Sequence, residues 1–510
     1  MAAEIKAPPL REFPAPPPLI PGAMEKSRPY VANEKIQQAI GFPAKLEDGW
    51  EGRAIAHMGE MLKKYRSLKV FLDSCVHCGA CSDKCHYYIG TQDPKNMPVA
   101  RQDLMRSVYR RYFTLPGKLF PKLVGARDLT RDVLDEWFTY YNQCSECRRC
   151  SVFCPYGIDT AEVTMAGREI LDAVGYGQKY TNEIIGKVHK VGNNLGLPGP
   201  ALADTLSGLE EDVKEDTGVD VRFPLDEKGA EVLLITPSAD FFAEPHVDSL
   251  IGYAKVFHAA GVRWTLSSKA SEAGNFGLFI GNYEQLRAIA LRIREAALEL
   301  GVKRIIVGEC GHAWRVAYSF WNTLVGIGAG GKDPFAIQLQ SQLDGRYKQP
   351  MHICEFTWDL IQRGALKFDK EANDHRVITF HDSCNVARAS RMGDFPGGQF
   401  EIPRAIIRAV ANKFVEMSAD TTREVTFCCG GGGGILTDEV LDLRVKGALP
   451  RMEALRSVAD GQGVNFMATI CAICKAQFTK VLPYYGFKMN MVGGVHQLVS
   501  TAIRLDGAEH

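Results

Sequence analysis

Apolar and polar residues recur along this chain with two different periods, and the change of period divides it. From Ile55 the apolar positions Met58, Leu62 and Tyr65 fall at helical spacing. Leu104, Met105, Val108 and Tyr112 form a second stripe, and Val133, Leu134, Trp137, Phe138 and Tyr141 a third. Asp159 followed by Glu162 has the form of a capping box, so a helix should open there and run to about Ala173. Residues 51–195 are therefore expected to form a helical domain. Residues 1–50 begin with a proline-rich arm that cannot be helical and should lie extended. Residues 196–230 are rich in glycine, proline and acidic groups and read as a connector.

Past the connector the pattern changes to short β-branched runs between amphipathic helices. The run at 232–236 leads to a helix near 250–260 stopped by Gly261, a long helix stopped by Gly301, and another apolar run at 304–307. That alternation predicts an α/β architecture. Residues 231–365 and 366–510 read as two copies of one unit: VLLITPSAD matches VITFHDSCN, WTLSSKAS matches VTFCCGGG, and RIIVGECGHAW matches MATICAICKAQF. This alignment sets Asp240 near Cys384, Ser267 and Ser268 against Cys428 and Cys429, and Val307 and Cys310 against Cys471 and Cys474. The first copy is expected to keep the fold and to have lost most of the cysteines.

The chain has 510 residues, enough for about three domains. Its 60 basic and 60 acidic residues cancel, which argues against a nucleic-acid binder. No run approaches the roughly 18 apolar residues of a membrane span, so membrane attachment is expected through a partner. The arm has no apolar core of the kind an export signal needs, so its 15 cysteines are expected in a reducing compartment, where clustered thiolates more often bind metal than pair.

Thirteen of those cysteines fall in two groups. The first holds two Cys-x2-Cys-x2-Cys-x3-Cys runs, Cys75, Cys78, Cys81, Cys85 and Cys144, Cys147, Cys150, Cys154. In two-cluster ferredoxins the fourth cysteine of each run serves the other cluster. By that rule Cys75, Cys78, Cys81 and Cys154 hold one cubane [4Fe-4S] cluster, and Cys144, Cys147, Cys150 and Cys85 a second. His86 stands where proline usually follows and is expected to touch no ligand. The second group is Cys384, the adjacent Cys428 and Cys429, and the pair Cys471 and Cys474. Adjacent thiols cannot both face one small tetrahedral ion without strain, so this set suits a multi-iron body better than zinc. The run Gly430 to Gly434 would let the backbone approach such a body. A zinc site, and a thioredoxin-like pair at Cys471 and Cys474, are the alternatives. His381, Asp382 and His312 are candidate proton donors or simply satisfied surface groups, Cys310 and Cys354 read as buried small residues, and the basic series Arg101, Arg106, Arg110, Arg111, Lys118 and Lys122 as a docking face or a solvated helix face.

At CVHCGACSDKCHYY, CSECRRCSVFCPYGID, CCGGGGG and CAIC the chain resembles the HdrD-type subunits of heterodisulfide reductase and their CCG-domain relatives, including DsrK-type iron–sulfur subunits of the DsrMKJOP membrane complex. The resemblance implies a noncubane [4Fe-4S] cluster on Cys384, Cys428, Cys429, Cys471 and Cys474 that reduces a disulfide-like bond, and so an oxidoreductase acting on sulfur groups. With one complete CCG set, it implies one such cluster. The implied partners are a DsrM-like membrane cytochrome b, the other subunits of that complex, and the small sulfur carrier DsrC as substrate, with the chain held peripherally on the cytoplasmic face of the inner membrane. An electron-transfer subunit of a lactate, glycolate or glycerol-3-phosphate dehydrogenase shares this layout and is the alternative.

Overall fold

The computed structural model describes residues 12–16, 35, 38, 40–274, 276–321, 350–393 and 397–507. Most of the proline-rich arm lies outside them. Of its described part, Phe13 packs edge-on against Phe427, with ring centroids 5.9 Å apart.

The apolar stripes become helices. α1 (Trp50–Lys64) and α2 (Arg66–Ser74) meet at Tyr65, whose extended backbone breaks the run. α3 (His86–Thr91), α4 (Pro98–Phe113), the short α5 (Leu115–Leu119) and α6 (Arg131–Asn142) follow. α7 (Thr160–Ala173) opens on Asp159, whose carboxylate accepts from the N–H groups of Ala161 and Glu162. Glu162 does not close the box; it accepts from Ser67 Oγ at 2.5 Å and ties α7 to α2. These helices share a core built around Met105, Val108, Leu134, Trp137 and Tyr141. α8 (Lys179–Val191) leads out of it.

The expected connector contains a 19-residue helix, α9 (Gly199–Thr217), burying Leu202, Leu206, Leu209 and Val213. Those leucines recur at helical spacing. The glycines and acidic residues between them occupy the outward face and gave the stretch its loop-like composition.

Two parallel sheets follow. The first has the order β2 (Trp264–Thr265), β1 (Val232–Ile235), β3 (Arg304–Val307), β4 (Met351–His352), with α10 (His246–Ala259), α11 (Tyr283–Leu300) and α12 (Gly311–Ser319) as crossovers. The second has the order β5 (Ile378–His381), β6 (Phe466–Thr469), β7 (Val492–Gly494), and a parallel bridge from Ile378 to Phe414 extends it on the β5 side as β2 extends the first. Its helices are α13 (Cys384–Ala389), α14 (Gly398–Val410), α15 (Leu441–Gln462), α16 (Ala472–Val481) and α17 (Val495–Ala502). Every residue of β1, β5 and β6 is buried, as expected of parallel strands covered on both faces. The sheets are joined where α10 meets α17: a Cβ on Gly252 would stand 2.1 Å from the His496 carbonyl oxygen, so only glycine permits this approach.

The strand ends correct the alignment of the two halves. Three residues past β1 stands Ser238, and three past β5 stands Cys384, each opening a helical turn. The N-cap after β3 is Cys310 and the N-cap after β6 is Cys471. Ser238 rather than Asp240 thus answers to Cys384, and Cys310 answers to Cys471, not Cys474. Matching cysteine to cysteine had concealed a loop one residue longer after β3 than after β6.

Candidate metal centres

Both ferredoxin-type loops bend by the same backbone device. The second and fourth residues after the leading cysteine take positive φ: His77 (57°) and Gly79 (77°) in the first loop, Glu146 (55°) and Arg148 (59°) in the second. Arg148 is held in that conformation by Asp159, Nε to Oδ2 3.0 Å. Cys75, Cys78, Cys81 and Cys154 line one cavity together with Cys150 of the second run, and Cys78 is exposed.

Cys85, Cys144 and Cys150 surround the buried guanidinium of Arg101, whose Nη1 lies 3.6 Å from Cys85 Sγ. Burial alone would push the Cys85 thiol up, but Arg101 and His86 bring it below its ordinary value. Cys147, which also neighbours Cys150, meets the thiol of Cys428. The basic series is accordingly not a solvated face. Arg101 and Arg106 are buried and brace the cysteine loops, Arg106 donating to the Cys75 carbonyl at 2.7 Å, and only Lys118 and Lys122 are exposed.

The five cysteines of the last quarter are all buried and converge. Cys384 and Cys429 both contact Cys428, Cys429 contacts Cys474, and Cys474 contacts Cys471. Sharing protons with Cys147, Cys384 and Cys429 holds the Cys428 thiol well below its usual range. Cys471 is drawn down to about 6, first by the Cys474 thiol and then by backbone N–H groups and Ser383. Cys310, carried in from the first sheet, is next to Cys471, while burial raises its own thiol. Cys354 lies elsewhere, with Glu309 and His496.

These residues fit an iron–sulfur group. The donor set is all thiol and buried, which favours a soft metal, and with Cys147 it exceeds the four ligands of a structural zinc. Beside it, His381 is fully buried, kept neutral by burial and by Arg451, and among the described residues neither of its ring nitrogens has a partner. A buried imidazole without partners is costly unless an acceptor such as cluster sulfide faces it.

Three expectations about neighbouring residues change. His86 is not remote from the ligands: its ring, Cys147 and Cys428 bring ligand atoms within 4.8 Å of one another, while Nδ1 contacts the Gly447 carbonyl and Nε2 contacts Ser145 Oγ, each at 2.7 Å. Asp382 is not a free proton donor, since both its oxygens accept from Arg404 at 2.8 Å. The glycine run, expected to face a multi-iron body, also closes against protein backbone. A Cβ on Gly433, at φ 66°, would lie 2.6 Å from the Cys144 carbonyl oxygen. Arg168 fastens this joint, donating to Gly433 O and Cys144 O, both at 2.7 Å.

Two features gave no sequence signal. Glu309, fully buried, takes Lys475 Nζ at 3.3 Å, Ser249 Oγ at 3.0 Å, His496 N–H at 2.8 Å and His496 Nδ1 at 2.9 Å. This network links the loop before α12 to α16 and α17, one residue beyond Cys474. A cavity of about 220 Å³ also opens beside Cys310, lined by that residue and by Tyr180, Phe276, Phe279, Gly431 and Ala472 among others. His312 stacks on Phe279 in its wall, ring centroids 4.2 Å apart.

Comparison with known proteins gives the same division. Residues 71–158 match the 4Fe-4S dicluster domain family and residues 378–479 the cysteine-rich (CCG) domain family. The chain is 44% identical to the Hdr-like menaquinol oxidoreductase iron–sulfur subunit 2 of Archaeoglobus fulgidus, over 90% of its own length and 84% of that protein's. It is 43% identical to the corresponding subunit of Archaeoglobus profundus over the same shares. It is 27% identical to the HdrD-type subunit of the dihydromethanophenazine:CoB–CoM heterodisulfide reductase of Methanosarcina barkeri, over 79% of its length and 87% of that protein's. No solved structure matches. Among the described residues no helix is long and apolar enough to cross a membrane.

Proposed function

Because the chain belongs to the family of Hdr-like menaquinol oxidoreductase iron–sulfur subunits, we propose that it is the sulfur-reducing subunit of a quinone-linked membrane complex, acting on the disulfide or trisulfide of a small DsrC-like sulfur carrier. The observation that carries this reading is the unbroken series of thiols from half-buried Cys147 through buried Cys428 and Cys429 to Cys474 and Cys471. Cys75, Cys78, Cys81 and Cys154 would hold one cubane, Cys144, Cys147, Cys150 and Cys85 a second, and Cys384, Cys428, Cys429, Cys471 and Cys474 a noncubane [4Fe-4S] cluster. Bound there, the three clusters would supply one-electron storage for a two-electron sulfur reduction.

The chain's own residues do the rest. Exposed Cys78 marks the entry side, facing a DsrM-like cytochrome b and the other subunits of a DsrMKJOP-type assembly on the cytoplasmic face of the inner membrane. Cys147, in the second loop and against Cys428, would bring the second cubane beside the noncubane site. Arg101 offsets the charge of three thiolates in the interior. The cavity beside Cys310 is small against ordinary ligand pockets of about 300–1,000 Å³, and admits an extended peptide end or side chain while keeping bulk water out. The matching strand order of the two sheets supports duplication of one CCG unit, the first copy having kept Cys310.

Iron and sulfide quantitation with EPR tests the assignment. The intact chain should carry about twelve irons, and Cys428→Ser about eight with both ferredoxin signals kept. Unchanged iron in the variant refutes the third centre. Cleavage of a carrier trisulfide by the chemically reduced protein, without a flavoprotein partner, separates the reductase from a subunit that only passes electrons.

A further inference from the structure

The loop leaving the C-terminal end of α4 gathers large apolar side chains in solvent. Leu115, Leu119, Phe120 and Leu123 are 70, 60, 58 and 86% exposed, and they are four of the twelve such residues among the described ones. Elsewhere these residues are scattered, which is ordinary for a protein surface; four within nine positions is not.

The loop is built rather than loose. Thr114 Oγ1 accepts from Gly117 N–H at 3.2 Å, Phe120 N–H donates to Pro116 O at 2.8 Å, and Ala126 N–H donates to Pro121 O at 2.8 Å. Arg110 Nη1 clasps the Val124 carbonyl at 2.8 Å. A Cβ on Gly117 would fall 1.9 Å from Arg110 O, so glycine is required for α5 to fold back this closely. The backbone is fixed and the apolar side chains point outward.

Charge selects the occupant. Lys118 and Lys122 flank the apolar residues and are exposed, neither has an ion-pair partner among the described residues, and no acidic residue lies between Thr114 and Arg127. Leucine and phenylalanine beside lysines suit the boundary of an anionic bilayer, where rings and branched chains sink below the headgroups and ammonium groups reach the phosphates. We infer that residues 115–123 seat this chain directly on an anionic lipid surface. The seat is separate from any contact with membrane-embedded subunits and goes beyond the iron–sulfur reading. α4 spans about 24 Å, so the exposed edge of the first cysteine loop, near its N-terminal end, stays within reach of the membrane.

Flotation of the full, cluster-loaded chain with vesicles of phosphatidylcholine alone, or of equal parts phosphatidylcholine and phosphatidylglycerol, tests this. The chain should float with the anionic vesicles and be released by salt. Leu119→Ser/Phe120→Ser/Leu123→Ser should bind them at least tenfold more weakly. Lys118→Glu/Lys122→Glu should lose about fivefold per lysine on anionic vesicles only. Both variants should keep the wild-type iron content and melting temperature. A wild-type chain that stays at the bottom of the gradient overturns the proposal, as does a triple variant that floats like wild type. Unchanged vesicle binding with lost binding to a membrane-protein subunit overturns it in favour of a protein partner.

Discussion

Replacing Glu309 by glutamine should destabilise the α/β part of the chain by about 3–5 kcal/mol, the cost of breaking a buried ion pair on one side. All the groups against the carboxylate are donors or carry a positive charge: Ser249 Oγ, Lys475 Nζ, and the backbone and ring of His496. A carboxamide must turn its NH2 toward one of them, leaving donor against donor in a site closed to water. A second route gives a similar size. Burial would raise the Glu309 carboxyl, yet Lys475 and His496 bring it from 4.5 to about 2, a gap worth about 3 kcal/mol. Because the folded value is depressed, that contribution is complete above about pH 4.5 and is lost as the pH falls toward 2. Urea unfolding followed by tryptophan fluorescence at neutral pH measures the loss, and it should shrink on acidification of the cluster-free protein. In Glu309→Met/Lys475→Met most of the stability should return, since an apolar pair removes both charges together. A loss below about 1 kcal/mol in the single variant, or a double variant that costs the sum of its parts, refutes the coupling.

Asp382→Asn should cost about 1–3 kcal/mol, since the Arg404 guanidinium loses one charged acceptor but keeps Glu416, and should lower iron retention near Cys384; a wild-type melting curve with a shifted pH–rate profile would instead restore Asp382 as a proton donor. Gly433→Ala forces a Cβ against the Cys144 carbonyl at a left-handed position, so thermal melting should show a loss of about 1–3 kcal/mol, with the EPR signal of the second ferredoxin loop altered and that of the first unchanged. Cys147→Ser should disturb two EPR signals, that of the second loop and that of the Cys428 site, whereas Cys78→Ser should disturb only one.

The elements legible in the sequence were those specified locally. Asp159 caps α7 with its own carboxylate, Gly301 ends α11 at φ 67°, and the stripe through Val133, Leu134, Trp137, Phe138 and Tyr141 turns inward because helical spacing leaves it no other face. α9 hides behind a loop-like composition although its leucines keep helical period. What no local pattern carries is pairing across the chain: His86 meets the Gly447 carbonyl across 361 positions, and Glu309 meets His496 across 187. The misplaced partner of Cys310 shows the same limit at finer grain. A cysteine at the N-cap of a helix has its sulfur beside free backbone N–H groups, which favour the thiolate. Cys310 accepts from the Ala313 N–H as an N-cap residue, and Cys471 occupies the same cap after β6. The two thiols therefore approach each other as equivalent points of two similarly ordered sheets. Only Cys471 has a thiol two positions inside its own helix start to share its proton, which is why it ionises readily and Cys310 does not.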